Sequence, residues 1–302
     1  MPRKSRNLET KVLKELTGPG FKSAARISYS GLASKIGANK ESVRAAVKRA
    51  ERSQSIQKWR ILLNPRIIGQ ELGAVQLDAR LGDDSAKARA ISQIEMIEGV
   101  VIVFNYHGTG VRVIFYYESE ESARRKARLI ASVCGSREED TALMKVVFPS
   151  SGRLRKTDWM VLKAISKNPR ESSAEVASEL ALSTRTVNRL IKKLTESRAI
   201  FLSTIKDVRN SLGLSVDYLI RCREESKGEV NKLVRSQTLN FALPNQKDYY
   251  SASLAFNNIS EAEEFKGRLE KVIGVQEVRM DILKEHIFVD SWLDEVIQKN
   301  AA

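Results

Sequence analysis

The sequence predicts an α+β protein in which two winged helix-turn-helix domains alternate with two ferredoxin-like domains of order β-α-β-β-α-β. Two observations predict this fold: two basic segments align with each other as three-helix repeats, and the two acidic segments that follow them each carry a strand-helix pattern. We expect domains at residues 1–64, 65–150, 151–206 and 207–302, the first and third being the winged helix-turn-helix domains. The chain is therefore expected to be a tandem duplication.

The net positive charge is confined to two parts of the chain. Residues 1–60 hold 15 Lys and Arg against 4 Asp and Glu, and residues 151–206 hold 12 against 5, whereas the two remaining segments are mildly acidic. Two cationic modules separated by acidic ones suit a polyanionic partner, because each phosphate that a protein neutralises releases counterions. The charge distribution therefore indicates that both basic segments bind nucleic acid.

The two basic segments are copies of one helical unit. Residues 30–43 align with residues 174–187 at a constant offset of 144, and the alignment continues without a gap to Ile56 and Ile200. In each copy, apolar residues at helical spacing predict three helices, and Asn39 and Ser183 are suitable N-cap residues for the third. This order of three helices is that of a DNA-binding helix-turn-helix unit.

The third helix of each copy is predicted to be amphipathic, with one face buried and the other basic. In the second copy, for example, Val187, Leu190, Ile191 and Leu194 share the buried face. A charged helix face is usually only solvated, but here the face recurs in two basic repeats. The segment after each third helix favours a β-strand and is predicted to form the wing. The side chains predicted to bind double-stranded DNA lie on the outward faces of the third helices and in the first wing: Lys40, Arg44, Lys48, Arg49, Lys58, Arg60, Thr184, Arg185, Asn188, Arg189, Lys192 and Lys193.

Position along the helix separates two predicted kinds of contact. Thr184, Arg185, Asn188 and Arg189 stand near the start of the helix, where side chains reach base edges in the major groove. Lys192 and Lys193 stand further along and are expected to meet phosphate, as are the wing residues. We therefore expect the start of each third helix to carry the sequence specificity.

The acidic segments each predict the same order of strands and helices. The first gives strands at 74–81, 100–105, 111–117 and 143–148 with helices at 85–97 and 120–133. The second repeats the order more loosely between residues 214 and 283, and an amphipathic stretch follows at 292–297. Both segments thus fit the ferredoxin-like arrangement.

A winged helix-turn-helix followed by such an α/β domain resembles the Lrp/AsnC (feast-famine) transcription regulators. The best local match runs from Asp158 to Ile200 and includes Leu182, Ser183 and the helix through Leu194. The resemblance implies a DNA-binding transcription regulator whose α/β domains pair. Because this chain carries each domain twice, it also implies a covalent pseudo-dimer, and a homo-oligomer formed through the α/β domains.

The resemblance further implies a small-molecule effector site near a Gly-rich loop between two strands. The matching residues are His107, Gly108 and Gly110, although a turn next to a strand end needs no ligand. The acidic residue that follows this loop in the family is missing, since Val111 and Arg112 stand there. The effector site is therefore an expectation with a plain turn as its alternative.

Several other classes of function are not expected. The chain has no nucleophile–base pair, phosphate-binding loop or dinucleotide fingerprint, so we expect no enzyme and no cofactor. Two His and two Cys are too few and too scattered for a metal site or a disulfide framework, and no apolar run is long enough to cross a membrane. A cytoplasmic, nucleoid-associated location is expected. The alternatives are a weakly specific architectural DNA-binding protein, a protein–protein adaptor, and a tetrapyrrole-modifying enzyme.

Overall fold

The computed structural model describes residues 3–16, 28–53, 55–56, 58–137, 141–146, 148, 152–205, 213–246 and 248–302. The chain divides into two units. One, the helical unit, takes residues 1–64, 151–212 and 297–302, and the other, the α/β unit, takes residues 65–150 and 213–296. Each unit therefore draws on both halves of the chain. The expected boundaries at 150 and 206 fall outside the described residues, and the four-domain division stays a prediction.

The helices and strands follow the predicted order in both halves. The first half contains α1 (Arg3–Leu16), α2 (Tyr29–Ile36), α3 (Lys40–Arg52), β1 (Lys58–Leu63), β2 (Glu71–Asp78), α4 (Asp84–Glu95), β3 (Val100–Tyr106), β4 (Gly110–Tyr117), α5 (Glu120–Val133) and β5 (Ala142–Val146). The second half contains α6 (Lys156–Lys167), α7 (Ser173–Glu179), α8 (Thr184–Glu196), β6 (Ile200–Ile205), β7 (Leu214–Cys222), α9 (Lys227–Arg235), β8 (Thr238–Gln246), β9 (Tyr249–Phe256), α10 (Ile259–Glu270), β10 (Val275–Phe288) and α11 (Ser291–Ala301).

The third helix of each module begins at the predicted cap. The Asn39 side-chain oxygen accepts a hydrogen bond from the backbone N–H of Glu41 at 2.8 Å, and the Ser183 hydroxyl accepts one from Thr186 at 3.1 Å. These caps satisfy amide groups that have no partner within the helix. The predicted inner faces are buried: Val43, Ala46, Val47 and Ala50 on α3, and Val187, Leu190, Ile191 and Leu194 on α8.

The strands predicted as wings pair with each other. β1 and β6 run antiparallel, with Lys58 opposite Ile205 and Leu63 opposite Ile200. A single strand leaves its backbone amide and carbonyl groups without partners, and here each module supplies the missing strand to the other. The two helix-turn-helix modules thus share one two-stranded sheet, which reading each repeat separately did not predict.

The two ferredoxin-like segments build one continuous sheet, and the predicted α+β fold is confirmed. Its strand order is β5-β2-β4-β3-β10-β7-β9-β8, and the antiparallel pair β3–β10 joins the two halves. Helices cover one face of each half, over cores that include Val113 and Phe115 in the first half and Tyr218 and Phe265 in the second. Because side chains alternate along a strand, polar residues between these core positions lie on the opposite face.

No helix within the described ranges is long and apolar enough to cross a membrane.

Candidate nucleic-acid interface

The helix α8 presents its polar side chains to solvent. Thr184, Arg185, Asn188 and Arg189 are exposed. The Asn188 side-chain oxygen accepts a hydrogen bond from the Ser173 hydroxyl at 2.6 Å, and this bond connects α8 to the start of α7. Lys192 is 72% exposed and forms an ion pair at 3.8 Å with Glu196, and a pair this exposed is weak in water. The face predicted to meet DNA is therefore open.

The helix α3 presents a shorter basic face in the same position. Lys40, Arg44 and Lys48 are exposed. Arg44 lies 4.0 Å from the carboxylate of Glu41 on the preceding turn, and both side chains are at least half exposed. Such a pair is screened by water and releases its guanidinium at little cost. These three side chains remain suitable for contact with phosphate or bases.

Two residues of the predicted interface are engaged inside their own modules. Lys193 lies 2.5 Å from the carboxylate of Asp158, which is fully buried at the start of α6. The aligned Arg49 lies 3.6 Å from Glu9 on α1, whose side chain is 15% exposed. In both modules, then, the third helix is tied to the first by an ion pair. The sequence carries a signal for these pairs, since Glu9 on α1 aligns with Asp158 on α6 when Val12 is aligned with Val161.

The two wing residues differ in exposure. Lys58 is exposed, whereas Arg60 is only 5% exposed in the sheet shared by the two modules. A guanidinium buried there cannot reach a phosphate without leaving its partners. Arg60 is therefore left out of the proposed interface.

The residues predicted for an effector site lie at the loop between β3 and β4. His107 is exposed, and its backbone N–H donates to the carbonyl of Ile282 at 2.9 Å. Gly108 has φ +72°, a turn conformation that suits glycine. At Gly110, a Cβ atom would come within 2.7 Å of the Asp281 carboxylate. Gly110 thus makes room for β10 of the other half, which is a packing role.

A buried polar network joins the two halves of the α/β unit beside this loop. Arg112 donates to the Asp217 carboxylate at 3.1 Å and to the Gln76 side-chain oxygen at 2.9 Å. The Tyr106 hydroxyl donates to the same Asp217 oxygen at 2.5 Å. Burial raises the pKa of Tyr106 well above its usual value, and the nearby Asp217 adds to the shift. This tyrosine therefore stays protonated and serves as a hydrogen-bond donor.

A second ion pair extends the network toward the loop. Arg279 donates two hydrogen bonds to Asp78, at 2.8 and 2.9 Å, and another at 2.7 Å to Asp281. Burial on its own would lower the pKa of Arg279, but these two carboxylates outweigh it and raise the pKa above its ordinary value. Arg112 and Arg279 are thus both held by carboxylates of the α/β unit.

No group of three or more metal-ligating side chains lies within the part of the chain that the structure describes. Cys134 and Cys222 are buried free thiols. Burial raises the pKa of Cys134 to about 11 and also raises that of Cys222. Both are therefore protonated at neutral pH and poor nucleophiles.

Comparison with known proteins supports the prediction that the second module is a winged helix-turn-helix. Residues 154–200 match a family model described as winged helix-turn-helix, DNA-binding. This segment is a winged helix-turn-helix of the DNA-binding kind. It contains α6, α7 and α8. Among curated proteins, none matches the sequence.

Solved structures resemble the chain at two scales. The siroheme decarboxylase NirDL is similar over 97% of this chain and 98% of its own, with 12% identity and a TM-score of 0.57. AsnC of E. coli is similar over 49% of this chain and 96% of its own, with 18% identity and a TM-score of 0.31. A transcriptional regulator of Neisseria meningitidis, solved with L-Met, covers 43% of this chain and 88% of its own, with 23% identity and a TM-score of 0.34. The predicted likeness to Lrp/AsnC regulators is confirmed as a resemblance, and nothing about activity follows from it.

The whole-chain likeness corrects one expectation. We expected no enzyme, because the sequence lacks familiar catalytic motifs. That expectation is wrong, because a solved structure that is similar over 97% of this chain is an enzyme. At 12% identity the likeness shows the shared fold alone, so this architecture does not argue against catalysis.

Proposed function

We propose that the protein is a sequence-specific regulator that binds double-stranded DNA as a covalent pseudo-dimer, with α3 and α8 as its two recognition helices. The observation that carries the proposal is the pairing of two basic modules through β1 and β6, each with an exposed polar face on its third helix. Arg185, Asn188 and Arg189 would read base edges, and Lys48, Lys58 and Lys192 would meet phosphate.

The two recognition helices differ, so we expect the target site to be asymmetric. At aligned positions Arg44 stands opposite Asn188, and Ala45 stands opposite Arg189. Arginine suits guanine and asparagine suits adenine, whereas alanine offers only a methyl group. A perfect palindrome would therefore satisfy one module better than the other.

The experiment is selection of binding sites from random duplex DNA, followed by footprinting of the selected site near physiological salt. A discrete protected site made of two unlike halves supports the proposal. Continuous coverage of the duplex would support the weakly specific architectural alternative instead. Failure to bind any duplex, even at low salt, would contradict both and leave the protein–protein adaptor.

A second candidate function rests on the length of one match. The likeness to a siroheme decarboxylase extends over 97% of this chain, and a related structure carries an iron-uroporphyrin III analogue. Titrating the full chain with iron uroporphyrin III tests it by visible absorption. A saturable shift of the tetrapyrrole band that His107→Ala weakens would support tetrapyrrole binding, and an unchanged spectrum would count against it.

Further properties of the regulator belong to the same proposal. A small-molecule effector would bind near His107, and copies of the chain would associate through their α/β units. A cytoplasmic, nucleoid-associated location accompanies DNA binding. Sedimentation of the full chain with and without DNA tests the association, because a monomer at every concentration would contradict it.

A further inference from the structure

Arg170 of the second module stacks against two aromatic rings of the first. Its guanidinium carbon lies 4.9 Å from the centre of the Tyr29 ring and 4.8 Å from the centre of the Trp59 ring. Both distances are within the range in which a cation is attracted to the face of an aromatic ring. Trp59 belongs to β1, whereas Tyr29 is the first residue of α2, so Arg170 contacts the first module both at the β1–β6 pair and at a point outside it.

Both ends of this contact are fixed close to a DNA-binding element. On the first module, Trp59 is 9% exposed, and its indole N–H donates to the Glu51 carboxylate on α3 at 3.0 Å. On the second, the backbone N–H of Arg170 donates to the Asn168 side chain at 3.2 Å, just before α7 begins. If one recognition helix moved relative to the other, the contact of Arg170 with the two rings would have to break or move with it.

The two aromatic rings of this contact have no counterpart at the aligned positions of the second module. The positions 144 residues after Tyr29 and Trp59 are Ser173 and Ser203, which have no aromatic ring. In a homodimer every such contact would occur twice, once for each subunit. A duplicated chain whose copies have diverged can keep such rings in one module alone.

The β1–β6 pair is a narrow connection between the two modules. It is a sheet of two strands with six paired residues, and isolated two-stranded sheets are only marginally stable and strongly twisted. Rotation about this ribbon would change the separation of α3 and α8. Tyr29 lies outside this ribbon, on α2, so its contact with Arg170 is a second point of attachment between the modules.

We infer that Arg170 is a positioning residue: clamped between Tyr29 and Trp59, it sets the spacing of the two recognition helices and hence the half-site spacing that the protein prefers. The inference rests on the proposed DNA-binding function, although its structural part does not need DNA. Recognition helices held at one separation match DNA half-sites only at a corresponding distance.

The structural part is tested by distance measurement between spin labels in the free, full-length protein. Ser34→Cys and Ser178→Cys place the labels at aligned, exposed positions on α2 and α7, and the native cysteines are buried. A narrow distance distribution is expected in this background. It should broaden in Arg170→Ala and in Tyr29→Leu, and remain narrow in Lys167→Ala, which removes one exposed positive charge nearby. An unbroadened distribution in both clamp variants overturns the inference.

The DNA part uses the selected duplex and derivatives with base pairs inserted between the half-sites. For the parent protein, adding about five base pairs, half a helical turn, should lower affinity strongly. Arg170→Ala should reduce this discrimination about tenfold, whereas Arg170→Lys should retain part of it and Lys167→Ala all of it. Equal spacing preference in Arg170→Ala and the parent overturns the inference. A parent protein that binds no duplex refutes the proposed function instead, and the spin labels then decide whether Arg170 holds the modules together.

Discussion

The arginines of the helical unit and those of the α/β unit have opposite environments. Arg185 and Arg189 project from α8 into solvent, whereas Arg112 and Arg279 are held in the α/β unit by Asp217, Asp78 and Asp281. An exposed guanidinium keeps its charge available to a partner, and a buried one uses it to neutralise carboxylates. The comparison teaches that the number of basic residues in a segment does not tell how many of them are exposed to a partner.

The largest expected effect is on stability, from Arg112→Ala. Its side chain is 6% exposed and that of its partner Asp217 is 1% exposed, so the variant leaves a buried carboxylate without its cation. We expect a loss of about 3–5 kcal/mol in the free energy of unfolding of the α/β unit. Arg124→Ala, on an exposed helix face, serves as the charge-matched control in urea unfolding. Equal midpoints for the two variants would show that the buried network contributes nothing.

The opposite pattern is expected for Arg185→Ala with Arg189→Ala. Each substitution should weaken binding to the selected duplex by about 1–3 kcal/mol if the side chain reads bases, with little change in melting temperature. The matched double variant, Arg124→Ala with Arg125→Ala, removes the same charge from an exposed face of the α/β unit. Were it to reduce affinity as much as the first, total charge rather than the recognition helix would govern binding.

The neighbours Lys192 and Lys193 give the sharpest form of the comparison within one helix. Lys192→Ala should reduce the salt dependence of DNA binding by about one unit of slope and leave stability unchanged. Lys193→Ala leaves the buried Asp158 without its cation, and we expect it to destabilise the module by about 1–2 kcal/mol. Binding isotherms at several salt concentrations measure the first effect, and thermal unfolding measures the second. If the two variants had the same salt dependence and the same stability, the different roles of Lys192 and Lys193 would be contradicted.

The smallest expected effect is a pH dependence in the α/β unit. Burial would raise the pKa of Asp78, but hydrogen bonds from Thr109 and Arg279 and the positive charges of Arg279 and Arg80 outweigh it, so the pKa lies below its ordinary value of 3.8. A lowered pKa in the folded state stabilises the fold above that value, and the stabilisation is lost as pH falls below it. In Asp78→Asn, the free energy of unfolding should fall less steeply as the pH is lowered. If its dependence on pH were identical to that of the parent protein, Asp78 would not contribute to acid unfolding.

Local features of the fold could be predicted from the sequence, and contacts between the repeats could not. The caps Asn39 and Ser183 and the inner face of α8 follow from residue type and spacing, which act over one or two turns of helix. The pairing of β1 with β6 joins residues more than a hundred positions apart, and no local pattern specifies it.

The candidate site shows the same limit. The open face of α8 was predictable from amphipathic spacing, because a helix with one apolar stripe exposes the rest. The burial of Arg60 and the ion pair of Lys193 with Asp158 were not, since both depend on which element packs against the residue. The glycine-rich loop was recognised, but the approach of Asp281 to Gly110 comes from the other half of the chain.

The central claim is that the third helices of both modules lie against the same duplex. Lys40→Cys and Thr184→Cys place a thiol at the exposed first residue of α3 or α8, and the native thiols are buried with raised pKa values. With an iron chelate attached at either thiol, the account predicts cleavage of the selected duplex at two separate clusters, one for each variant, within one footprint. Cleavage from only one position, or from neither while the protein remains bound, would contradict it.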